Sequence, residues 1–239
     1  MKTIIINEKE IEIPTNWLDV SFEQFIQFSN ISKSRKSEAD VINDYKNDSN
    51  ESDTDAIISL VVSIDNVDFN TKIVCFWTGL DESEIALCSL DLIEDILKTI
   101  DFVGEQYQPI SLDKFTLNNE TFFLPKGGME DENFGTYIEA EQVELNNQRI
   151  ENGDFGYLPR QIALLCKKEG EKRGLVDETV IEERTQKFKK LDMATIWDVA
   201  FFLLKQENKL MIHSLTLLQT EETQRLLSQQ KPLSQVMDG

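Results

Sequence analysis

Alternating apolar and polar positions mark two similar stretches of the chain, Ile4–Pro14 near its start and Phe115–Pro125 near its middle. In both stretches an apolar side chain falls at every second position on either side of a short polar turn. This alternation is typical of half-buried strands, and the turn between them indicates a β-hairpin. Since proline cannot donate to a strand ladder, Pro14 and Pro125 are expected to end the two hairpins.

A helical pattern follows each hairpin after a short loop. In the first copy Ser21–Gln24 has the sequence of a capping box, in which serine and glutamine satisfy each other's backbone amides. Phe25 then belongs to an aromatic row with helical spacing. In the second copy we expect Asn133 to be the cap, with Tyr137 in the position of Phe25. Both aromatic rows favour core packing over ligand binding.

Later apolar stretches keep the same order in the two copies, which indicates an internal duplication. We therefore predict an α+β fold that is mostly helical, with two tandem similar modules, each a β-hairpin followed by a helical bundle, and a C-terminal helix. The first module is placed at residues 1–104, the second at 110–204 and a helical tail at 205–239. The later stretches are Ala56–Ile64, Ile73–Trp77, a capping box at Asp81–Glu84 and a helix from Leu90–Leu92 in the first copy, and Ile162–Cys166, Val176–Phe188 and a helix from Leu191–Met193 in the second.

An acidic stretch interrupts the first module. Ser37–Asp55 contains seven acids and a single lysine among many Ser and Asn residues. Such composition cannot bury enough apolar area to order itself, so we interpret residues 32–55 as a solvated linker. The alternate spacing of Asp48, Asn50 and Ser52 is similar to that of a calcium loop, but Asp53 stands where the sharp turn of that loop requires glycine.

The charge of the chain narrows the range of possible partners. It has 44 acidic and 24 basic residues, which gives a formal net charge of −20. Binding to phosphates or to anionic membranes depends on clustered Lys and Arg, so neither nucleic acid nor a membrane is expected as a direct partner. The sequence contains no run of about 20 apolar residues, the length that a membrane-spanning helix requires. At its start, charged residues interrupt the apolar positions, whereas a secretory signal needs an uninterrupted apolar core.

The residue types that carry catalysis show no recognisable arrangement. Cys75, Cys88 and Cys166 form no Cys-x-x-Cys pair, which favours buried, reduced thiols. The single histidine, His213, has only the adjacent Ser214 as a neighbouring nucleophile, and adjacent helix residues do not face each other. We expect no catalytic, cofactor-binding or metal-ligating residue and no cofactor.

The segment after the second module has no counterpart in the first. Its apolar side chains stand among many glutamines and predict an amphipathic helix, which either packs on its own module or docks in the groove of a partner. The leucines expected to contact such a partner are Leu210, Leu215, Leu218 and Leu226.

One stretch of the first module resembles a known family. Phe76–Ile85, followed by Leu87 and Leu90–Ile93, is similar to the pattern of helix, Thr-Gly-Leu, acidic capping box and apolar helix in the small tail-assembly chaperones of tailed bacteriophages. The resemblance implies a small, mostly helical protein that binds tape-measure or tail-tube proteins during morphogenesis, without catalytic residues. The second copy departs from it, with Lys168–Gly170 in place of Thr-Gly-Leu.

The favoured function is therefore that of a non-enzymatic bacteriophage virion or tail-assembly protein. Its expected partners are other phage structural or tail proteins, or further copies of itself in a homo-oligomer or ring. It is expected in the host cell cytoplasm during assembly and, where it is packaged, in the virion at the tail or portal vertex. Two alternatives stay open: an acidic DNA-mimic inhibitor of a basic host or phage protein, and, less favoured, a carboxylate-only metal-dependent enzyme.

Overall fold

A computed structural model describes residues 1–48, 55–126, 134–148, 155–171 and 177–205. The fold is α+β and mostly helical, as predicted, with two small antiparallel sheets. Within these ranges, no helix has the length and apolar character that crossing a bilayer requires. The strands are β1 (Lys2–Ile6), β2 (Lys9–Ile13), β3 (Lys114–Leu117), β4 (Glu120–Phe123) and β5 (Lys167–Lys168). The helices are α1 (Phe22–Lys33), α2 (Glu38–Asp48), α3 (Asp55–Thr78), α4 (Glu82–Ile85), α5 (Leu90–Thr99), α6 (Phe134–Gln148), α7 (Leu158–Leu165), α8 (Glu178–Phe188) and α9 (residues 193–205).

Both predicted hairpins are confirmed. β1 pairs with β2 and β3 with β4, each in antiparallel register across a two-residue turn. The turn residues Asn7 and Glu8 have φ values of 50° and 64°, and Asn118 and Asn119 have 51° and 64°. Two consecutive positive φ values define the turn that matches the twist of paired strands, and asparagine tolerates this region better than most residues. The same turn chemistry thus closes both hairpins.

The second sheet contains a strand that the repeat did not predict. β5 pairs with β4, and the amide of Glu169 continues this pairing by donating to the carbonyl of Thr121 at 2.9 Å. Lys168 also forms an ion pair with Glu120 across the two strands at 2.6 Å. Residues 167–169 are therefore held against the hairpin.

The two predicted capping boxes are confirmed. The Ser21 hydroxyl accepts from the amide of Gln24 at 3.2 Å, and the Gln24 side chain accepts from the amide of Ser21 at 2.9 Å. Asp81 and Glu84 form the same reciprocal pair at the start of α4. These bonds satisfy amides that a helix start leaves without intrahelical partners. The cap predicted for the second copy, Asn133, lies outside the described residues.

The interpretation of residues 32–55 as a solvated linker is wrong over α2. This helix packs on α3 and buries Val41 against it. The Ser37 hydroxyl accepts from the amide of Asp40 at 3.2 Å, so a serine cap offsets the unfavourable composition at the helix start. The buried Val41 and the serine cap are local features that the average composition of this stretch did not reveal.

Residues from both halves share one buried core. The amide of Phe22 donates to the carbonyl of Leu191 at 2.8 Å, and the amide of Met193 donates to the carbonyl of Val20 at 2.8 Å. This reciprocal pair surrounds an antiparallel bridge between Ser21 and Asp192, the residues at the starts of α1 and α9. The two helix starts therefore hold each other in place across the middle of the molecule.

The bridge corrects one part of the predicted repeat. Leu90 and Leu191 were matched as equivalent, but Leu90 is 81% exposed and Leu191 is 2% exposed. Asp192 caps α9 by accepting from the amide of Thr195, whereas Ser89 has that role at α5. The two Leu-Asp steps differ by two positions relative to their helix starts, because Leu90 follows the cap of α5 whereas Leu191 precedes the cap of α9. The two leucines therefore lie in opposite environments.

A candidate binding cleft at Asp198

A cavity of about 730 Å³ opens at the junction of the two halves. We call it the Asp198 cleft. Four segments line it: the loop before α1, the connection between the halves, β3 and the start of α9. Its lining residues are Thr15, Asn16, Trp17, Leu18, Phe102, Glu105, Gln106, Tyr107, Gln108, Ile110, Leu112, Lys114, Phe115, Thr116, Ala194, Thr195 and Asp198.

The carboxylate of Asp198 anchors the connection between the halves. Asp198 is 4% exposed, and its Oδ1 accepts from the hydroxyl of Tyr107 at 3.0 Å and from the amide of Ile110 at 2.8 Å. Residues 105–112 have no regular secondary structure, in agreement with their linker-like composition, yet these two bonds hold them against α9. Among the described residues both donors reach Oδ1, so Oδ2 is the oxygen left to accept from a bound partner.

The start of α9 determines where Asp198 lies. The bridge between Ser21 and Asp192 fixes the first residue of this start, and Asp192 then accepts from the amide and hydroxyl of Thr195. Asp198 follows Ala194 by four residues, which places both on one face of the helix. That face borders the cleft, because Ala194 and Asp198 both line it.

Burial determines the electrostatics of the cleft. Loss of hydration raises the pKa of Asp198 above its usual value, and the nearby charge of Asp192 adds to this, against the two donated hydrogen bonds. Burial, together with the hydrogen bond to Asp198, raises the pKa of Tyr107 to about 12. The charged carboxylate therefore costs the fold free energy that a further donor from a bound partner would offset.

Aromatic and exposed apolar side chains surround the carboxylate. The ring of Trp17 meets Phe102 edge to face, with centroids 5.2 Å apart. Leu18 and Ile110 are both more than half exposed at the rim. Aromatic anchors beside a buried polar acceptor are typical of sites that bind another polypeptide segment. The cleft can take an apolar side chain and a neighbouring hydrogen-bond donor together.

The structure describes only some of the other candidate residues from the sequence. Leu210, Leu215, Leu218, Leu226 and His213 lie outside the described residues. The three cysteines are free, and Cys166 is buried as predicted, but Cys75 and Cys88 are only half-buried. Burial raises the pKa of the Cys75 thiol, and nearby acids add to this, so it has no thiolate character at neutral pH. In the described part of the chain, no group of three or more His, Cys, Asp or Glu side chains could hold a metal ion.

The sequence patterns did not identify Asp198 or Tyr107 as site residues. A signal did exist, because Asp198 is a single acid within the otherwise apolar stretch from Ile196 to Leu204. An acid in an apolar helix indicates either a buried hydrogen-bond network or a site. Its partners lie 91 and 88 residues earlier, which no local pattern reveals.

Comparison with known proteins gives no further assignment: the chain matches no protein-family model, no curated protein and no solved structure.

Replacing Asp198 by Asn is expected to leave stability at pH 7 unchanged or higher. The amide oxygen can still accept from Tyr107 and Ile110, and the cost of a buried charge disappears. Because the folded pKa of Asp198 is raised, its contribution to stability is complete below pH 3.8 and is lost as the pH rises through the folded pKa. The advantage of Asp198→Asn should therefore shrink at acid pH, as measured by urea unfolding.

Asp198→Ala is the matched control, since it removes the acceptor altogether. It leaves the hydroxyl of Tyr107 and the amide of Ile110 without this partner, which should cost about 1–3 kcal/mol at both pH values. An equal loss at pH 7 for Asn and Ala would show that the negative charge itself stabilises the fold.

Proposed function

We propose that the chain is a non-enzymatic assembly protein of a tailed bacteriophage that binds other phage structural proteins through the Asp198 cleft. The observation that carries the binding role is this open cleft, with its aromatic rim and buried acceptor. The phage assignment rests on the resemblance of Phe76–Ile85 to tail-assembly chaperones. The structure of that stretch agrees with the capping chemistry of the pattern, because α4 begins with the capping box at Asp81.

The chemistry of the cleft favours a polypeptide as its occupant. Its amide side chains (Asn16, Gln106 and Gln108) stand beside aromatic rings, a combination that suits backbone groups and apolar side chains together. The net charge of −20 favours a partner with a basic surface, since attraction between opposite charges raises the rate of association. A tail or tape-measure segment with one donor side chain among apolar residues would meet both requirements.

Exposed apolar residues at the rim offer a test that does not disturb the fold. We expect the double substitution Leu18→Ala and Ile110→Ala to weaken binding to the phage protein that the chain captures. The amide of Ile110 stays in place, so its bond to Asp198 is kept. Loss of two rim contacts should lower affinity by about tenfold or more. The measurement is titration of the purified chain with tail-tube, tape-measure and portal proteins encoded beside its gene.

Ile5→Ala with Leu145→Ala is the matched control, because it also truncates one isoleucine and one leucine that are exposed, and neither lines the cleft. Equal binding by the two double variants would contradict the assignment of the cleft. Failure of every neighbouring phage protein to bind would overturn the proposed function itself. Mass spectrometry of purified particles then separates a packaged component from a chaperone that leaves before maturation.

A further inference from the structure

The first half of α3 exposes an apolar row that the described residues leave uncovered. Ile57, Leu60, Ile64 and Val67 are between 40% and 63% exposed. We call these four residues the α3 stripe. Their spacing of three, four and three residues places them on one side of the helix, along three turns. α3 is buried in the core only in its second half, through Ile73, Val74 and Trp77.

The opposite side of α3 already has its partner within the chain. Val41 of α2 and Val62 of α3 line the same small cavity between the two helices. Arg35 donates to the side chain of Asn66 at 3.2 Å and lies 5.0 Å from the ring centre of Phe69. At 100° per residue, these α3 positions lie about 180° from the stripe. The helix therefore has one face covered by α2 and Arg35, and one apolar face that the described residues leave exposed.

We propose that the α3 stripe is the interface between two copies of this chain, paired as a short antiparallel helix dimer. The spacing is that of the a and d positions of a coiled coil, with Ile57 and Ile64 at a and Leu60 and Val67 at d. Such a seam is self-complementary. In the antiparallel arrangement Ile57 lies level with Val67 of the second copy, and Leu60 lies level with Ile64.

Charge decides between a second copy in parallel and one in antiparallel orientation. The second half of α3 is buried in the core through Ile73, Val74 and Trp77. The folded core of each acidic subunit therefore surrounds the C-terminal end of α3. Parallel pairing would bring two such bodies side by side, whereas antiparallel pairing separates them by the length of the helices. The repulsion between the two net charges is then reduced by distance and by salt screening.

The positions beside the stripe also permit this pairing. Ala56, Val61 and Ser63 flank it without charge, and Asp68 is the acid closest to it. In the antiparallel arrangement the two copies of Asp68 are about 18 Å apart along the axis, from 1.5 Å per residue. No like charges face each other across the seam. A row of three turns is a small interface, so the dimer should dissociate on dilution.

The test is the molar mass of the full chain in solution, measured by sedimentation velocity over a hundredfold range of concentration. We expect a monomer–dimer equilibrium that shifts toward dimer as concentration rises. The double substitution Leu60→Glu and Ile64→Glu should remain monomeric throughout, with an unchanged circular dichroism spectrum because both side chains are exposed. Leu87→Glu with Leu90→Glu adds the same charge at more exposed leucines and should behave as the unmodified chain.

Orientation is tested by a photoreactive benzoylphenylalanine at position 67. A crosslink to the segment around Ile57 of the second copy supports the antiparallel pair, and a crosslink around Val67 overturns it. A monomer at every concentration overturns the dimer. So does a monomeric chain whose binding to another phage protein is abolished by Leu60→Glu, because the stripe then serves that protein. None of these outcomes depends on the Asp198 cleft, so the dimer and the proposed function fail separately.

Discussion

Phe25→Asp is expected to unfold both halves of the protein together. Phe25 is buried where the two halves meet, with its ring 5.8 Å from that of Trp17 and 5.5 Å from that of Trp197. Truncation of a buried phenylalanine alone costs about 3–5 kcal/mol, and an unpaired charge adds to this. The sum approaches the whole stability of an ordinary domain, roughly 5–15 kcal/mol. Two of the three tryptophans report directly on this cluster, so intrinsic fluorescence and circular dichroism measure the loss.

The response of each half to Phe25→Asp shows whether the two halves fold independently. If the two predicted modules folded independently, this change would unfold only the first. The contact of Phe25 with Trp197 instead joins residues 1–104 and 110–204 through one aromatic cluster. Hydrogen exchange of Phe25→Asp distinguishes the two outcomes. Protection of α7 and α8 that persists in this variant would show that the second half is stable alone. Phe25→Leu, which keeps most of the apolar volume, should lose less than about 1.5 kcal/mol and retain the native spectrum.

Short-range patterns were enough to predict the local elements. The hairpins and the capping boxes at Ser21 and Asp81 depend on residues within a few positions of one another, so alternation, turn residues and cap chemistry are visible in the sequence. The order of the helices follows from the same periodicity. The error over α2 shows the limit of composition as evidence, because this acidic stretch forms a helix that buries Val41.

The same short-range patterns did not predict the pairings between distant residues. The bridge between Ser21 and Asp192 joins residues from different halves, and it determines where α9 begins. The Asp198 cleft depends on that start and on two hydrogen-bond donors, Tyr107 and Ile110, which lie 91 and 88 residues before Asp198. The site is therefore a product of tertiary packing, and the sequence carried only an indirect sign of it, an acid in an apolar helix.

Arg184→Met is expected to destabilise the second half by about 1–3 kcal/mol, the usual cost of leaving buried acceptors without their hydrogen-bond donor. Arg184 is buried, and its Nη2 donates to both carboxylate oxygens of Glu171 at 2.9 and 3.0 Å. Its Nη1 donates to the carbonyls of Cys166 at 3.0 Å and Ala163 at 3.3 Å, at the end of α7. Methionine fills much of the volume but satisfies neither the carboxylate nor these carbonyls.

The pH dependence identifies the ion pair as the cause. Burial alone would raise the pKa of Glu171, but the hydrogen bonds from Arg184 and the amide of Lys168 outweigh it and lower this pKa. A lowered folded pKa contributes stability that is present above pH 4.5 and is lost as the pH falls through the folded value. The difference in urea midpoint between the protein and Arg184→Met should therefore narrow from pH 7 toward pH 3.

Adding Glu171→Gln to Arg184→Met should recover part of the loss at pH 7, because it removes the unpaired carboxylate. A difference that is constant with pH and unaffected by Glu171→Gln would assign the loss to the α7 carbonyls and to the contact of the guanidinium with the Phe122 ring at 5.6 Å.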